Sequence, residues 1–361
     1  MKITRTGLAI AAVAAASALV LSGCAANEGG TTPSNLSGSI AGVGSSAQGA
    51  AQEAWVAAFQ TSNPDATITY DPAGSGAGVT AFVDGGAMFA GSDSPLTDEQ
   101  LAGSLAACVP GTAPFEVADY ISPIAVVYNV DGVTALNLDA ATIANIFAGK
   151  ITTWNDPAIV ALNPDAKLPA TAITAVHRGD ESGTTKNFTD YLSKAAPEAW
   201  TFKADKVFPA AITGGEAADK TSGMADTVTG GVGTIGYIDF SKAGKLGVAN
   251  IKVGDKFVAP TAEGAAAAYA NAKPLDGRDP KTSMAVSVDR TSTDSTTYPL
   301  ILVSYLIGCQ QYADPANVEL LKGYLGYVVS AAGQTVSAGV GAAPLTAENT
   351  KTAEAIIAAI K

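Results

Sequence analysis

The sequence predicts an α/β protein organised as two domains with largely parallel sheets. At 361 residues the chain is about twice the size of an ordinary domain. Its content, 47% hydrophobic and 15% charged, can fill substantial cores and is unlike that of a disordered tail. Apolar runs of strand length alternate with segments of helical period. That alternation lays helices on the faces of a sheet and leaves ligands to bind at the carboxyl ends of strands.

Lys2 and Arg5 precede an apolar run from Gly7 to Leu21 that closes on Leu21-Ser22-Gly23-Cys24. A cationic start, a short apolar stretch and a small-residue exit describe a secretory signal over residues 1–23. The tetrapeptide resembles the lipobox of bacterial lipoproteins, which implies cleavage before Cys24 and a lipid on its thiol. An ordinary signal peptide with an incidental cysteine is the alternative. No other stretch reaches the roughly 18 apolar residues of a spanning helix, so lipid is the only expected anchor, holding the protein outside the cell membrane. Residues 24–37 are small and polar and read as a flexible tether. After export, Cys108 and Cys309 face an oxidising setting in which a leftover pair usually joins; two buried free thiols are the alternative.

Beyond the tether, Ala66–Tyr70, Ile121–Val130 and Ala172–Val176 read as strands. Helical periods cover Gln48–Thr61, Thr97–Ala107, Asp139–Ala148, Thr184–Lys194, Glu216–Thr229 and Asn317–Ala332. Thr97 with Gln100 fits a capping box, and Asp139 and Asp314 are candidate helix starts. Gly264–Ala272 is alanine-rich and reads as a surface helix or loop.

Three segments share one design. Gly42-Val43-Gly44-Ser45-Ser46, Gly74-Ser75-Gly76-Ala77-Gly78 and Arg178-Gly179-Asp180-Glu181-Ser182-Gly183-Thr184 each follow a strand and open a helix. Each places glycine and a small hydroxyl where unpaired backbone N–H groups point outward and the helix dipole favours negative charge. One such turn is commonly only a cap; three, with Arg178 in one, point to a shared small oxyanion.

Competing motifs fail on context. No Gly-Lys-Ser/Thr phosphate loop occurs, since Gly149-Lys150 is followed by Ile151. Gly231–Gly236 spells a dinucleotide fingerprint, but Tyr237–Phe240 after it reads as strand. Ser182 lacks the flanking glycines of a nucleophile elbow, and His177, the sole imidazole, reads as a structural residue on a strand. One histidine and three cysteines exclude most histidine- or cysteine-rich metal sites, and no cofactor is implied. With 21 basic against 33 acidic residues the net charge is −12, which argues against sequence-independent nucleic-acid binding.

These loops resemble those of the phosphate-binding proteins that serve the phosphate-specific ABC transporter. Arg178–Thr184 is similar to that family's Arg-x-Asp-x-Ser-Gly-Thr, Gly91–Thr97 to its Ala-Ser-Asp-x-Pro-Leu, and Tyr70–Gly78 to its Gly-Ser-Ser/Gly-Gly turn. Ile146–Asp156 and Leu162-Asn163-Pro164 extend the likeness over nearly the whole chain beyond the tether. The resemblance implies a two-lobed periplasmic-binding-protein fold with a ligand cleft between lobes and two hinge crossings. One lobe would hold residues 38–122 plus 298–361 and the other 123–297, which places Cys108 and Cys309 in the same lobe. It implies phosphate contacts at Ser46, Ser75, Asp93, Arg178, Asp180, Ser182, Gly183 and Thr184, with Asp180 orienting Arg178. The family commonly has Thr-Phe where this chain has Ser46-Ala47, so Ser45 and the Ala47 N–H are also candidates.

Within that reading Asp93 accepts the proton that phosphate retains at neutral pH, which sulfate cannot offer. The expected function is capture of inorganic phosphate outside the membrane and its delivery to transporter permease subunits, by a monomer that is not an enzyme. A secreted phosphoester hydrolase using Ser182, or a receptor for sulfate or molybdate, is the alternative.

Overall fold

The structure, a computed structural model, describes residues 36–361. The signal segment, Cys24 and most of the tether lie outside the described residues. One nine-stranded sheet organises the chain. Its order is Ala66–Asp71, Gly38–Gly44, Phe89–Ser92, Ile301–Cys309, Pro114–Asn129, Thr234–Asp239, Thr174–Arg178 and Glu216–Ala218, with Gly247–Val248 paired to Pro114–Asn129 off that path.

The flanks of this sheet are parallel and its centre is antiparallel. Gly38–Gly44 runs parallel to both its neighbours, and Thr174–Arg178 runs parallel to Thr234–Asp239 and Glu216–Ala218. Ile301–Cys309, by contrast, is antiparallel to Phe89–Ser92 and to Pro114–Asn129. The expectation of largely parallel sheets is therefore corrected to a mixed sheet. A chain that crosses from one group of strands to the other and later returns must make the two passages in opposite directions.

Pro114–Asn129 is the passage outward, buried along its length up to the half-buried Asn129. Pro114 to Pro123 pairs with the return strand Ile301–Cys309, and from Ile124 onward the partner is Thr234–Asp239. Only its second half reads as strand from sequence, because Glu116 and Asp119 interrupt the apolar run. Inside, Glu116 is satisfied by Leu96 N–H at 2.6 Å and Ser283 Oγ at 2.8 Å, each donating to its carboxylate.

Several helix boundaries move for local reasons. The Thr97/Gln100 capping box forms, but the helix it opens ends at Ala102, before Gly103. Asp139 caps Ala140–Phe147 by accepting from Thr142 N–H. Glu216–Ala218 is an edge strand, so the next helix spans Lys220–Gly230. The long C-terminal helix breaks at Ser330, whose extended backbone and hydroxyl cap a second helix, dividing Val318–Val329 from Ala331–Ala338. Asp314 does not start a helix: its carboxylate accepts from Ala316 N–H, and Asn317 in the left-handed region precedes Val318. The alanine-rich stretch is the helix Ala262–Ala270, capped by Thr261.

The core runs across both groups of strands. Trp55 and Trp154 are fully buried and each donates its indole N–H to a glycine carbonyl, Gly333 and Gly233. Phe188 stacks on Tyr237 at 4.1 Å between ring centres, fixing the helix Gly183–Ala195 against the strand Thr234–Asp239. Cys108 and Cys309 form a disulfide across 201 positions, tying the end of the return strand to the segment before the outward one.

A bond closing so long a loop restricts the unfolded chain strongly, so the Cys108→Ala/Cys309→Ala variant is expected to lose about 3–5 kcal/mol of stability. Urea unfolding of variant and wild type measures this; a loss below about 1 kcal/mol would refute it.

Candidate functional site

Each of the three glycine–hydroxyl turns leaves the carboxyl end of a strand. Gly38–Gly44 passes into Ser45-Ser46-Ala47-Gln48 before the helix Gly49–Ser62. Ala66–Asp71 leads to Gly74 and the helix Ser75–Val83, and Thr174–Arg178 leads to Ser182 and the helix Gly183–Ala195. The strand Phe89–Ser92 delivers Asp93 into the space they share.

Glycine is required where these segments touch. A Cβ on Gly44 would lie 2.1 Å from the Gly91 carbonyl oxygen, and one on Gly183 would lie 2.6 Å from both Asp93 Cβ and Ser75 Oγ. Gly74, at φ 110°, meets Asp180 in the same way. Gly76 N–H donates to the Glu181 carbonyl at 3.0 Å, joining the second turn to the third.

Asp93 is 2% exposed. Ser304 Oγ donates to its Oδ1 at 2.6 Å, while Ser75 Oγ and Thr184 Oγ1 stand at 3.4 and 3.5 Å from Oδ2. Ser75 Oγ also accepts from Asp93 N–H at 3.2 Å, and Asn187 donates to the Asp93 carbonyl at 2.6 Å. Burial pushes the Asp93 carboxyl above the usual carboxylate range, against the opposing hydroxyls of Ser304, Ser45 and Ser75 and the charge of Arg178.

Arg178 is 3% exposed and its guanidinium is held in a two-pronged pair with Asp180, Nε to Oδ1 at 2.6 Å and Nη2 to Oδ2. Lys220 N–H adds a third donor to Asp180 at 3.2 Å. Burial alone would raise Asp180, but the hydrogen bonds and charge of Arg178 hold it below its ordinary value. The lowered carboxyl favours the charged form of Asp180, and the two-pronged contact gives the remaining guanidinium N–H groups a fixed orientation.

The structure thus gathers Ser45, Ser75, Asp93, Arg178, Asp180, Gly183 and Thr184. Ser182 sits beside them as the cap of its helix, accepting from Thr185 N–H at 3.1 Å and keeping its own O–H to donate. Ser46 is committed elsewhere: its hydroxyl meets Thr221 Oγ1 and accepts from Thr221 N–H, both at 3.0 Å. Of the adjacent serines it is Ser45 whose hydroxyl bears on Asp93, and it also accepts from Ala47 N–H at 3.1 Å. His177 stacks flat on Phe208 at 4.2 Å, with Nδ1 against the Arg178 carbonyl, so it has no geometry for activating Ser182. Among the described residues no cluster of acids, histidines or cysteines could hold a metal ion.

Ser304 and Thr221 escaped the sequence reading. Thr221-Ser222-Gly223 opens a helix with the same small hydroxyl and glycine pattern as the other turns, so its signal was present. Ser304 carries only a weak one, a single hydroxyl inside the apolar strand Ile301–Cys309.

Residues 29–332 match a family model described as the PBP superfamily domain. The chain is 35% identical over 342 residues to the phosphate-binding protein PstS2 of Mycobacterium bovis, covering 90% of each. It is 36% identical over 354 residues to the phosphate-binding protein PstS3 of the same organism, covering 92% of each. Among solved structures, a high-affinity periplasmic phosphate-binding protein bound with phosphate superposes with a TM-score of 0.69 at 21% identity, over 87% of this chain and 92% of that one. A putative phosphate ABC transporter substrate-binding protein from Clostridium perfringens gives 0.58 at 20% identity, over 86% of this chain and all 100% of that one. At such identities these two likenesses speak for the fold.

Asp180→Asn leaves Arg178 buried with a neutral partner. Because Asp180 is partly exposed, the expected loss at pH 7 is about 1–3 kcal/mol, below that for a fully buried pair. The folded-state value of Asp180 is depressed, so its contribution is present above about pH 4, its unfolded range, and fades as pH falls through the folded value. Thermal unfolding from pH 7 to pH 3 should show the gap between wild type and variant closing on the acid side; a gap constant with pH would contradict the assignment.

Proposed function

The chain belongs to the PstS phosphate-binding proteins of the PBP superfamily, and from that membership we propose that it captures inorganic phosphate outside the membrane and hands it to an ABC transporter permease. The observation that carries the reading is Asp93, a buried carboxylate ringed by hydroxyl donors and set near a guanidinium that Asp180 holds in place.

Three helix starts converge on one region and offer N–H and O–H groups to a small anion, with Arg178 neutralising its charge. The proposed contacts are Ser45, Ser75, Asp93, Arg178, Ser182, Gly183 and Thr184, with Asp180 acting through Arg178 and Ser46 through Thr221. An ionised Asp93 repels a bare oxyanion but accepts a hydrogen bond from one that carries a proton. Phosphate does so at neutral pH and sulfate does not. A site that demands a particular hydrogen can discriminate by ~10⁴–10⁵-fold, because its absence leaves a buried acceptor facing an acceptor.

The lobes are proposed as residues 38–122 with 298–361 and residues 123–297. Supporting this division, the outward strand changes partner between Pro123 and Ile124, where the return strand begins at Ile301. Closure between the lobes is the expected route to a dry site. A lipid on Cys24 would keep the protein at the outer face of the membrane, and the placement of His177 and Ser182 supports a binding role without catalysis.

Calorimetry on residues 25–361 tests the reading. Phosphate is expected to bind with Kd at or below the micromolar range, about −8.2 kcal/mol or stronger, and sulfate and molybdate far more weakly. Arg178→Ala should weaken phosphate by about tenfold or more, as loss of a charge-assisted donor does, and Asp93→Asn should erase much of the preference over sulfate. Equal binding of sulfate by the wild type would overturn the proposal, and turnover of a chromogenic phosphate ester abolished by Ser182→Ala would restore the hydrolase.

A further inference from the structure

Behind Asp93 lies a buried file of polar side chains that the ligand contacts do not use. Tyr324 O–H donates to Gln52 Oε1 at 2.7 Å, Gln52 Nε2 donates to Gln48 Oε1 at 2.6 Å, and Gln48 Nε2 donates to Ser304 Oγ at 2.7 Å. Ser304 then donates to Asp93 Oδ1 at 2.6 Å. Tyr324, Gln52, Gln48 and Ser304 are all fully buried. The file spans the helix Val318–Val329, the start of the helix Gly49–Ser62 and the return strand.

Every bond in the file runs the same way. A serine hydroxyl has one hydrogen, and Gln48 already donates to the Ser304 oxygen, so that hydrogen goes to Asp93. To run backwards, both amides would have to turn over and Asp93 would have to supply a proton to Ser304. A one-way file therefore fixes Oδ1 as an acceptor and leaves Oδ2 as the oxygen that faces the ligand region, beside Ser75 and Thr184.

We propose that Ser304, oriented by Gln48, Gln52 and Tyr324, is a positioning residue for specificity: it keeps Asp93 an acceptor toward the ligand, so only a protonated oxyanion is admitted. This rests on the phosphate reading above and deepens it. Without the Ser304 hydroxyl, Asp93 takes up a proton at higher pH and becomes able to donate to sulfate. The other charged or titratable groups that bear on Asp93 are Arg178, Asp119, Tyr70 and Lys206; all are retained in the variants below, so a change across them reports the file.

Two measurements on wild type, Ser304→Ala, Ser304→Thr and Gln48→Met test it. The first follows the Asp93 carboxyl by carbon NMR from pH 3 to 8 in the ligand-free protein. Ser304→Ala is expected to raise its midpoint by about one pH unit or more, Gln48→Met to raise it less, and Ser304→Thr to leave it in place. The second is calorimetry with phosphate and sulfate at pH 5.5 and 8. At pH 5.5 the phosphate-to-sulfate affinity ratio should fall about tenfold or more in Ser304→Ala, and stay near wild type in Ser304→Thr.

An Asp93 midpoint unmoved in both Ser304→Ala and Gln48→Met overturns the inference, as does a Ser304→Thr variant that shifts as far as Ser304→Ala. A wild type that binds no phosphate while its midpoint responds as described would instead defeat the ligand reading and leave the positioning role standing.

Discussion

Burying a carboxylate where the strand Phe89–Ser92 meets the return strand and two helix starts is unfavourable unless donors surround it, and the construction around Asp93 follows from that constraint. A buried charge without partners costs several kcal/mol. Asp93 receives Ser304 on one oxygen, hydroxyls beside the other, and the Arg178 charge nearby. Its own backbone is used as well, the N–H by Ser75 and the carbonyl by Asn187. The residue is therefore fixed by both backbone and side chain, and its partners come from the helix Ser75–Val83, the helix Gly183–Ala195 and the return strand.

Close approach of backbones serves the same end. Gly183 lies against Asp93 and Ser75, and Gly74 against Asp180, at distances that a methyl group would fill. The glycines that look, one at a time, like ordinary helix starts are the means by which separate turns share a few ångströms of space. The Arg178–Asp180 pair is fixed from its far side by Lys220, and Ser46 reaches Thr221 one residue on, so the helix Lys220–Gly230 is joined to the site through two contacts.

What was legible in the sequence is local. Glycine, a small hydroxyl and a following helical period mark Ser75, Ser182, Gly183 and Thr184 because caps and dipoles are decided within a few residues. What was hidden depends on distant parts of the chain. Ser304 meets Asp93 across 211 positions and Thr221 meets Ser46 across 175, and no window of sequence contains both partners. The direction of the central strands was hidden for the same reason, since it is set by the return passage. Ser45 and Ser46 differ for the same reason, since a distant Thr221 takes up the Ser46 hydroxyl.

A second buried acid sets the surroundings of Asp93 in contrast. Asp119, on the outward strand, is fully buried and neither of its carboxylate oxygens has a hydrogen-bond partner. Burial drives it well above the usual range and the charge of Asp93 drives it further, against the opposing pull of the Asp119 and Tyr120 backbone. Two neighbouring acids in one interior do not ionise independently, and the one with donors ionises first. Asp93 has the hydroxyls and the guanidinium, whereas Asp119 has neither. Burial drives both carboxyls up, Asp119 the further, and the donors around Asp93 favour its charged form over that of its neighbour. With a net charge of −12 and a Debye length of about 8 Å at physiological salt, long-range attraction is no help to an anion approaching this protein. Selection of an anion must rest on donors and acceptors at short range, and the best-supplied buried carboxyl among these two is Asp93.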